Sequence, residues 1–341
     1  FQAEDGIRDS STSRGLGDVY KRQLYYFNRP DQTHIYSTKN KIELKLYVFN
    51  PVDKKSESSV LLFHGGGWSF GSSYSLFKIC RDISNNGITC ISADYRLALK
   101  HNSNVIDSMS DARDAYKWVL ENSEKLKINK NHIMVGGGSS GGHLAASLVM
   151  VPYDDNKIIE NIRALIFFNP ALNTTFFDSG FELPKNTSER RMKFWFFLKK
   201  LFEGRSIELS PSSYVRENLP PSIIFHGTND RTIPISIIED FTDDMKSKGN
   251  DIILSKWKGK GHQFYRWDKE VYPDVIKEAD APSVKKDEFA AVKVPCFLSK
   301  AARRLANFSL LEFGRIPLSD FCLLYTSDAA DERSSVDLGG R

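Results

Sequence analysis

The sequence predicts an α/β fold, a mostly parallel central sheet flanked by helices, and three observations carry that expectation. Short apolar runs bounded by Gly, Pro, Asn or Asp recur along the chain, helical periods separate them, and a serine bracketed by glycines stands where a strand gives way to a helix. Alternation of this kind implies right-handed crossovers and a site beyond the carboxyl ends of the strands.

Lys41 to Asn50 places Ile42, Leu44, Leu46 and Val48 on one side, the pattern of a half-buried strand in an early antiparallel hairpin. The runs Val60–Phe63, Ile88–Ala93, His132–Val135, Ala164–Phe168, Ser222–Phe225 and Ile252–Leu254 are short enough for strands buried on both faces. Between them, Asp107–Leu126 sets Ala112, Ala115, Trp118 and Val119 at helical spacing, Leu144–Val151 is apolar nearly all round, and Ile237–Met245 begins just after Pro234. Residues 172–216 break the rhythm with Phe176-Phe177, the run Phe194 to Leu198 and a Ser210-Pro211 turn. An insertion of this length reads as a cap over the site, with a helical decoration of the sheet edge as the alternative.

The 341 residues are 40% apolar, enough for one large domain, placed at residues 24–321. A net charge of +4, with basic residues scattered along the chain, carries no electrostatic footprint for nucleic acid. No run reaches the roughly 18 apolar residues of a membrane span. Cys80, Cys90, Cys296 and Cys322 form no C-x-x-C pair and share no metal-ligand spacing with the histidines, so they are expected to be idle or buried thiols, with no metal.

Residues 1–23 and 322–341 are polar and Gly/Ser/Asp-rich without a period. They resemble a conceptual translation of sequencing-library adapter and transposon-end DNA, and are expected to be tails foreign to the fold. With a native N-terminus expected to be lost, cytoplasmic and exported locations both stay open, as does the oligomeric state. Residues 271–321 carry Pro273, Pro282, Pro295 and Pro317 where a closing amphipathic helix is expected, and only a weak period near Ala301 to Phe313.

Three stretches carry chemistry: His64-Gly65-Gly66-Gly67-Trp68, Gly137-Gly138-Ser139-Ser140-Gly141-Gly142-His143, and Asp230 with His262. Glycines flank Ser139 in a turn too cramped for side chains, and an adjacent base is what makes a serine hydroxyl nucleophilic. Gly138 to Gly142 offers Ser140 as a second candidate. The glycine trio after Val60–Phe63 turns backbone N–H groups of Gly65 and Gly66 toward the nucleophile, the N–H of Ser140 completes an oxyanion hole, and His64 reads as structural. Asp230 follows a strand and reads as the acid; Asp240, Asp243 and Asp244 fall in the next helix and read as solvated. His262, in the loop Lys258 to His262, reads as the base. The order Ser, Asp, His is that of the α/β-hydrolases.

The segments His64–Trp68, Asp94–Ala98, Asp111–Trp118, Gly137–Ala145, Pro220–Pro234 and Gly259–Phe264 together resemble the hormone-sensitive-lipase-like α/β-hydrolases, bacterial carboxylesterases and acetylesterases especially. The resemblance covers residues 24–267 and favours Ser139 over Ser140 as nucleophile. It implies an α/β-hydrolase fold and a serine esterase acting on short-acyl esters of small molecules or carbohydrates, without cofactor. It implies that Asp94 and Arg96 brace the oxyanion loop. Trp68, His143 and Gln263 are expected to contact substrate. Leu99 and Gln263 depart from the Pro and Gly usual in the family. A peptidase or amidase, and a catalytically silent binding protein on the same scaffold, are the rival readings.

Overall fold

A computed structural model of the protein describes residues 28–54, 56–152, 159, 161–178 and 189–267. The expectations for residues 1–23, 271–321 and 322–341 lie outside the described residues.

Eight strands form one sheet: β1 (Gln32–Lys39), β2 (Ile42–Phe49), β3 (Ser59–Phe63), β4 (Thr89–Ala93), β5 (Ile133–Gly138), β6 (Leu165–Phe168), β7 (Ser222–Gly227) and β8 (Ile252–Trp257). Their order across the sheet is β1-β2-β4-β3-β5-β6-β7-β8. The first hairpin is antiparallel, β2 meets β4 antiparallel, and every later pairing is parallel. The parallel strands are hydrophobic without alternation because both faces are covered. In β3, Leu61 and Phe63 enter one core while Val60 and Leu62 enter the other, and in β5 Val135 and Met134 divide in the same way.

Among the described residues five helices run for two turns or more: α1 (Phe77–Asn85), α2 (Val105–Glu121), α3 (Ser140–Ser147), α4 (Glu189–Leu201) and α5 (Ile235–Ser247). Asn104 and Asp107 close a reciprocal capping box at the start of α2. The helix expected over Asp107–Leu126 breaks at Asn122, whose side-chain amide takes the Trp118 carbonyl at 2.9 Å before a short turn of helix resumes at Ser123. The helix expected at Leu144–Val151 begins earlier, at Ser140, because Gly141 and Gly142 pack against the strands instead of ending a turn.

One expectation is corrected outright. Cys80 on α1 and Cys90 on β4 are joined as a disulfide, not idle thiols, because α1 packs directly on β4 and brings two residues ten apart to a Cα separation of 5.1 Å.

Candidate active site

The four parallel strands β5, β6, β7 and β8 lie side by side, so residues just past their carboxyl ends share one edge of the sheet. Ser139 follows β5, Asn169 follows β6, Asp230 lies in the turn after β7, and His262 lies in the loop after β8. Geometry of the fold, not proximity in sequence, is what collects them.

Ser139 sits at φ 52° and ψ −122°, a left-handed conformation that a side chain adopts only when its surroundings enforce it. Its N–H donates to the Phe168 carbonyl at 3.1 Å, and its own carbonyl accepts the N–H groups of Gly142 and Ala171. The enforcing contact is a close approach of backbones. A Cβ on Gly137 would stand 2.6 Å from the Gly141 carbonyl carbon, and a Cβ on Gly141 would stand 2.1 Å from the Phe63 carbonyl oxygen. Ser140, by contrast, is the first residue of α3 with its hydroxyl wholly buried, whereas Ser139 keeps part of its surface open.

The loop from His64 to Trp68 folds over this turn. Gly65 faces the serine so closely that a Cβ there would lie 3.1 Å from the Ser139 Cβ. Gly66, at φ 142°, has no room for a side chain against the Phe70 carbonyl. Among the described residues, no backbone hydrogen bond consumes the N–H of Gly65, Gly66 or Ser140. His64 is buried, its Nδ1 donating to the Gly65 carbonyl at 2.8 Å, as a structural residue would.

Asp230 and His262 meet at 2.7 Å through Oδ2 and Nδ1. The other carboxylate oxygen accepts the N–H groups of Thr232 and Ile233 at 2.8 and 2.9 Å. Burial alone raises the Asp230 carboxyl, but the His262 bond and charge, with the Ile233 N–H, outweigh it and hold the group below the ordinary carboxylate value. Asp240, Asp243 and Asp244 lie exposed on α5.

Two residues expected to touch substrate are placed elsewhere. His143 is fully buried, its Nε2 donating to the Leu209 carbonyl at 2.9 Å, and Trp68 is buried with its indole N–H on His143 Nδ1 at 3.3 Å. Phe202 closes over both rings, so they support the loop from beneath and present no face to a ligand. Gln263 stays half-buried beside His262 at φ 61°, which accounts for the family's usual glycine there.

The bracing role expected of Asp94 and Arg96 is also redistributed. Asp94 accepts from Ser73 Oγ at 2.6 Å, just beyond the loop, and from the Tyr47 hydroxyl at 3.2 Å. Arg96 does not reach the loop: its guanidinium grips Asp111 and Asp107 on α2. The residue between them does the bracing, Tyr95 donating its hydroxyl to the His64 carbonyl at 2.8 Å and stacking on the His64 ring.

Residues 172–216 contribute no sheet strand among those described, and α4 lies on the loop. Phe194 and Leu198 stand within 3.4 Å of where a Gly67 Cβ would be, while Trp195 packs against Phe176 and Phe177. Sequence reasoning missed Asn169 and His226, both fully buried beside Asp230.

Comparison with known proteins agrees with this architecture. The native structure of esterase 2 from the planctomycete Thermogutta terrifontis superposes with a TM-score of 0.63 at 31% identity, covering 76% of this chain and 96% of that one. Esterase LipC of Mycobacterium tuberculosis is 24% identical over 262 residues, 72% of this chain and 60% of the relative. An arylesterase of Saccharolobus solfataricus is 34% identical over 117 residues, 34% of this chain and 37% of the relative. The chain thus spans less than two thirds of the length of these two curated relatives. Among the described residues no helix is long and apolar enough to cross a membrane. Residues 60–266 match the family described as alpha/beta hydrolase fold, and the chain belongs to that family, in its hormone-sensitive-lipase-like branch.

Proposed function

We propose that this chain is a serine carboxylic-ester hydrolase that cleaves short-acyl, acetyl-type esters through an acyl-enzyme, carbohydrate esters among them. The observation that carries the reading is the 2.7 Å contact of His262 Nδ1 with Asp230 Oδ2, at the same strand ends as the strained Ser139. A carboxylate only accepts, so Nδ1 carries the proton and Nε2 keeps its lone pair as a base.

Ser139 attacks the ester carbonyl carbon while His262 takes the hydroxyl proton, and Asp230 stabilises the imidazolium that forms. The N–H groups of Gly65, Gly66 and Ser140 receive the negative oxygen, each such donor contributing about 3 to 4 kcal/mol to the barrier reduction. His262 returns the proton to the leaving alkoxide, and water then repeats the sequence to release the acid. Phe194 and Leu198 on α4 lie against Gly67, the last glycine of that loop. The esterase names of the relatives support the ester bond as target, and solved structures of the Thermogutta esterase with butyrate and with propionate bound support a short acyl group.

The test is hydrolysis of p-nitrophenyl acetate, butyrate and octanoate by the native chain, Ser139→Ala and Ser140→Ala. Acetate and butyrate are expected to turn over faster than octanoate, Ser139→Ala to be silent, and Ser140→Ala to stay active because its backbone N–H remains. Turnover that survives Ser139→Ala overturns the assignment.

A further inference from the structure

We infer that Asn169 is a positioning residue for the Asp230–His262 pair, holding the carboxylate in the orientation and charge state the imidazole requires; this rests on the ester-hydrolase reading above. Asn169 directly follows β6, is fully buried, and takes φ 46° while its N–H donates to the Phe225 carbonyl at 2.9 Å. Asn is among the few residues with a side chain that tolerate this conformation. The turn aims its amide across to the neighbouring strand end, where Nδ2 donates to Asp230 Oδ2 at 2.7 Å. That is the oxygen that also accepts from His262.

The direction of donation is fixed by chemistry. Were the amide reversed, its oxygen would face a carboxylate oxygen, two acceptors with no proton between them. As placed, Asn169 Oδ1 is buried without a hydrogen-bond partner among the described residues. A left-handed Asn retained for stability alone would use that oxygen on nearby backbone, since leaving it bare costs about 1 to 3 kcal/mol. Here the donor end is satisfied and the acceptor end is not, the mark of a side chain held for what it gives to Asp230.

The other groups described around Asp230 do not serve Oδ2 in its place: the Thr232 and Ile233 N–H groups hold the opposite oxygen, Oδ1. From β7, His226 points Nε2 at Asp230 Oδ2 from 3.5 Å, but its proton goes to the Ile233 carbonyl at 2.9 Å. From the loop after β8 comes His262 itself, and from α5 Glu239 acts on His226 only through its charge.

Two variants test the inference with p-nitrophenyl butyrate. Asn169→Gly keeps the left-handed backbone and removes the donor; kcat is expected to fall about 10- to 100-fold with KM unchanged, the range for losing a hydrogen bond to a charged group. Asn169→Asp keeps size and backbone preference but sets two carboxyls on one site, which must share a proton. Its activity is expected near the native level on the acid side and to fall away as pH rises and the shared proton leaves, so the alkaline limb of kcat moves to lower pH. Circular dichroism and melting midpoints identify the folded variants, and either one folded suffices. Native kcat in Asn169→Gly, or an unshifted alkaline limb in Asn169→Asp, overturns the inference while the Ser139→Ala result stands. Absence of turnover by the native chain overturns instead the reading on which it rests.

Discussion

Trp68 donates its indole N–H to Nδ1 of His143 across 3.3 Å, and that direction of donation fixes the protonation state of a buried histidine beneath the glycine loop. An indole nitrogen only donates, so Nδ1 holds a lone pair. The single ring proton is then on Nε2, which gives it to the Leu209 carbonyl at 2.9 Å. Both neighbours of the ring are satisfied only while it is neutral.

A pH dependence of stability follows. Burial pushes the His143 imidazole from 6.5 down to about 4, against the weaker pull of the Leu209 carbonyl. Between those values the unfolded chain binds a proton that the folded chain refuses, so stability decreases as pH falls through that window and is insensitive to this group above it. At about 1.4 kcal/mol per pH unit the loss amounts to about 3 kcal/mol. Urea midpoints measured across this range for the native chain and His143→Gln check it: the variant is expected to show the shallower acid slope. Parallel slopes in the two proteins would remove His143 as the cause.

Two glycines separate catalysis from folding. A methyl group on Gly141 would meet the Phe63 carbonyl oxygen at 2.1 Å and the His64 carbonyl oxygen at 2.6 Å, both backbone atoms held in the sheet or its loop. Gly141→Ala is therefore expected to lose several kcal/mol of stability and little soluble protein to survive, overpacking of fixed backbone being among the larger effects of a single methyl. A methyl on Gly65 meets the Gly138 carbonyl and the Ser139 Cβ at 3.0 and 3.1 Å, a few tenths of an ångström too close. Gly65→Ala is expected to fold with a melting midpoint near native and to lose about 100-fold in kcat, a displacement near Ser139, the proposed nucleophile, being enough for that loss. Thermal melts beside initial rates decide it; equal kcat in Gly65→Ala and the native chain would place the loop away from the chemistry.

What the sequence disclosed of this site follows a physical division. Ser139, Asp230 and His262 stand out in the sequence as candidates because each occupies a turn at a strand end with its own local signature, and strands covered on both faces announce themselves as unbroken apolar runs. Asn169 had no such signature. Its partner Asp230 is 61 residues away, and only the adjacency of β6 and β7 joins them. Trp68 and His143 adjoin the motifs and so read as ligand contacts, but the residues that bury them, Phe202 and Leu209, come from the insertion after β6. Tyr95 was masked by its charged neighbours, since bracing the loop takes a hydroxyl and a stacking ring instead of a charge. Cys80 and Cys90 obey no spacing rule, because their pairing depends on where α1 lands on β4.

Arg96 and Asp111 offer a last prediction, one that concerns stability alone. The guanidinium meets Asp111 with Nε on Oδ2 at 2.8 Å and Nη2 on Oδ1 at 2.9 Å, a fork that lysine cannot reproduce. The Asp111 side chain is fully buried, and burial raises its carboxyl above the ordinary value even though Arg96 pulls it down. Arg96→Ala leaves that carboxylate with the Arg96 backbone N–H, at 2.8 Å, as its remaining donor among the described residues. Breaking one partner of a buried pair destabilises by about 3 to 5 kcal/mol, whereas exchanging both for apolar residues of similar size recovers much of it. Arg96→Ala is thus expected to lose that amount near neutral pH, Arg96→Lys less, and Arg96→Met with Asp111→Leu least. Removing Arg96 raises the folded-state value of Asp111 further. A group so raised favours the folded state below its unfolded value and loses that contribution as pH climbs through the folded value. The gap between Arg96→Ala and the native chain must therefore narrow as pH falls. Urea midpoints of the four proteins at neutral and mildly acidic pH measure it, and a gap that widens on acidification would mean that Asp111 stays ionised without its arginine.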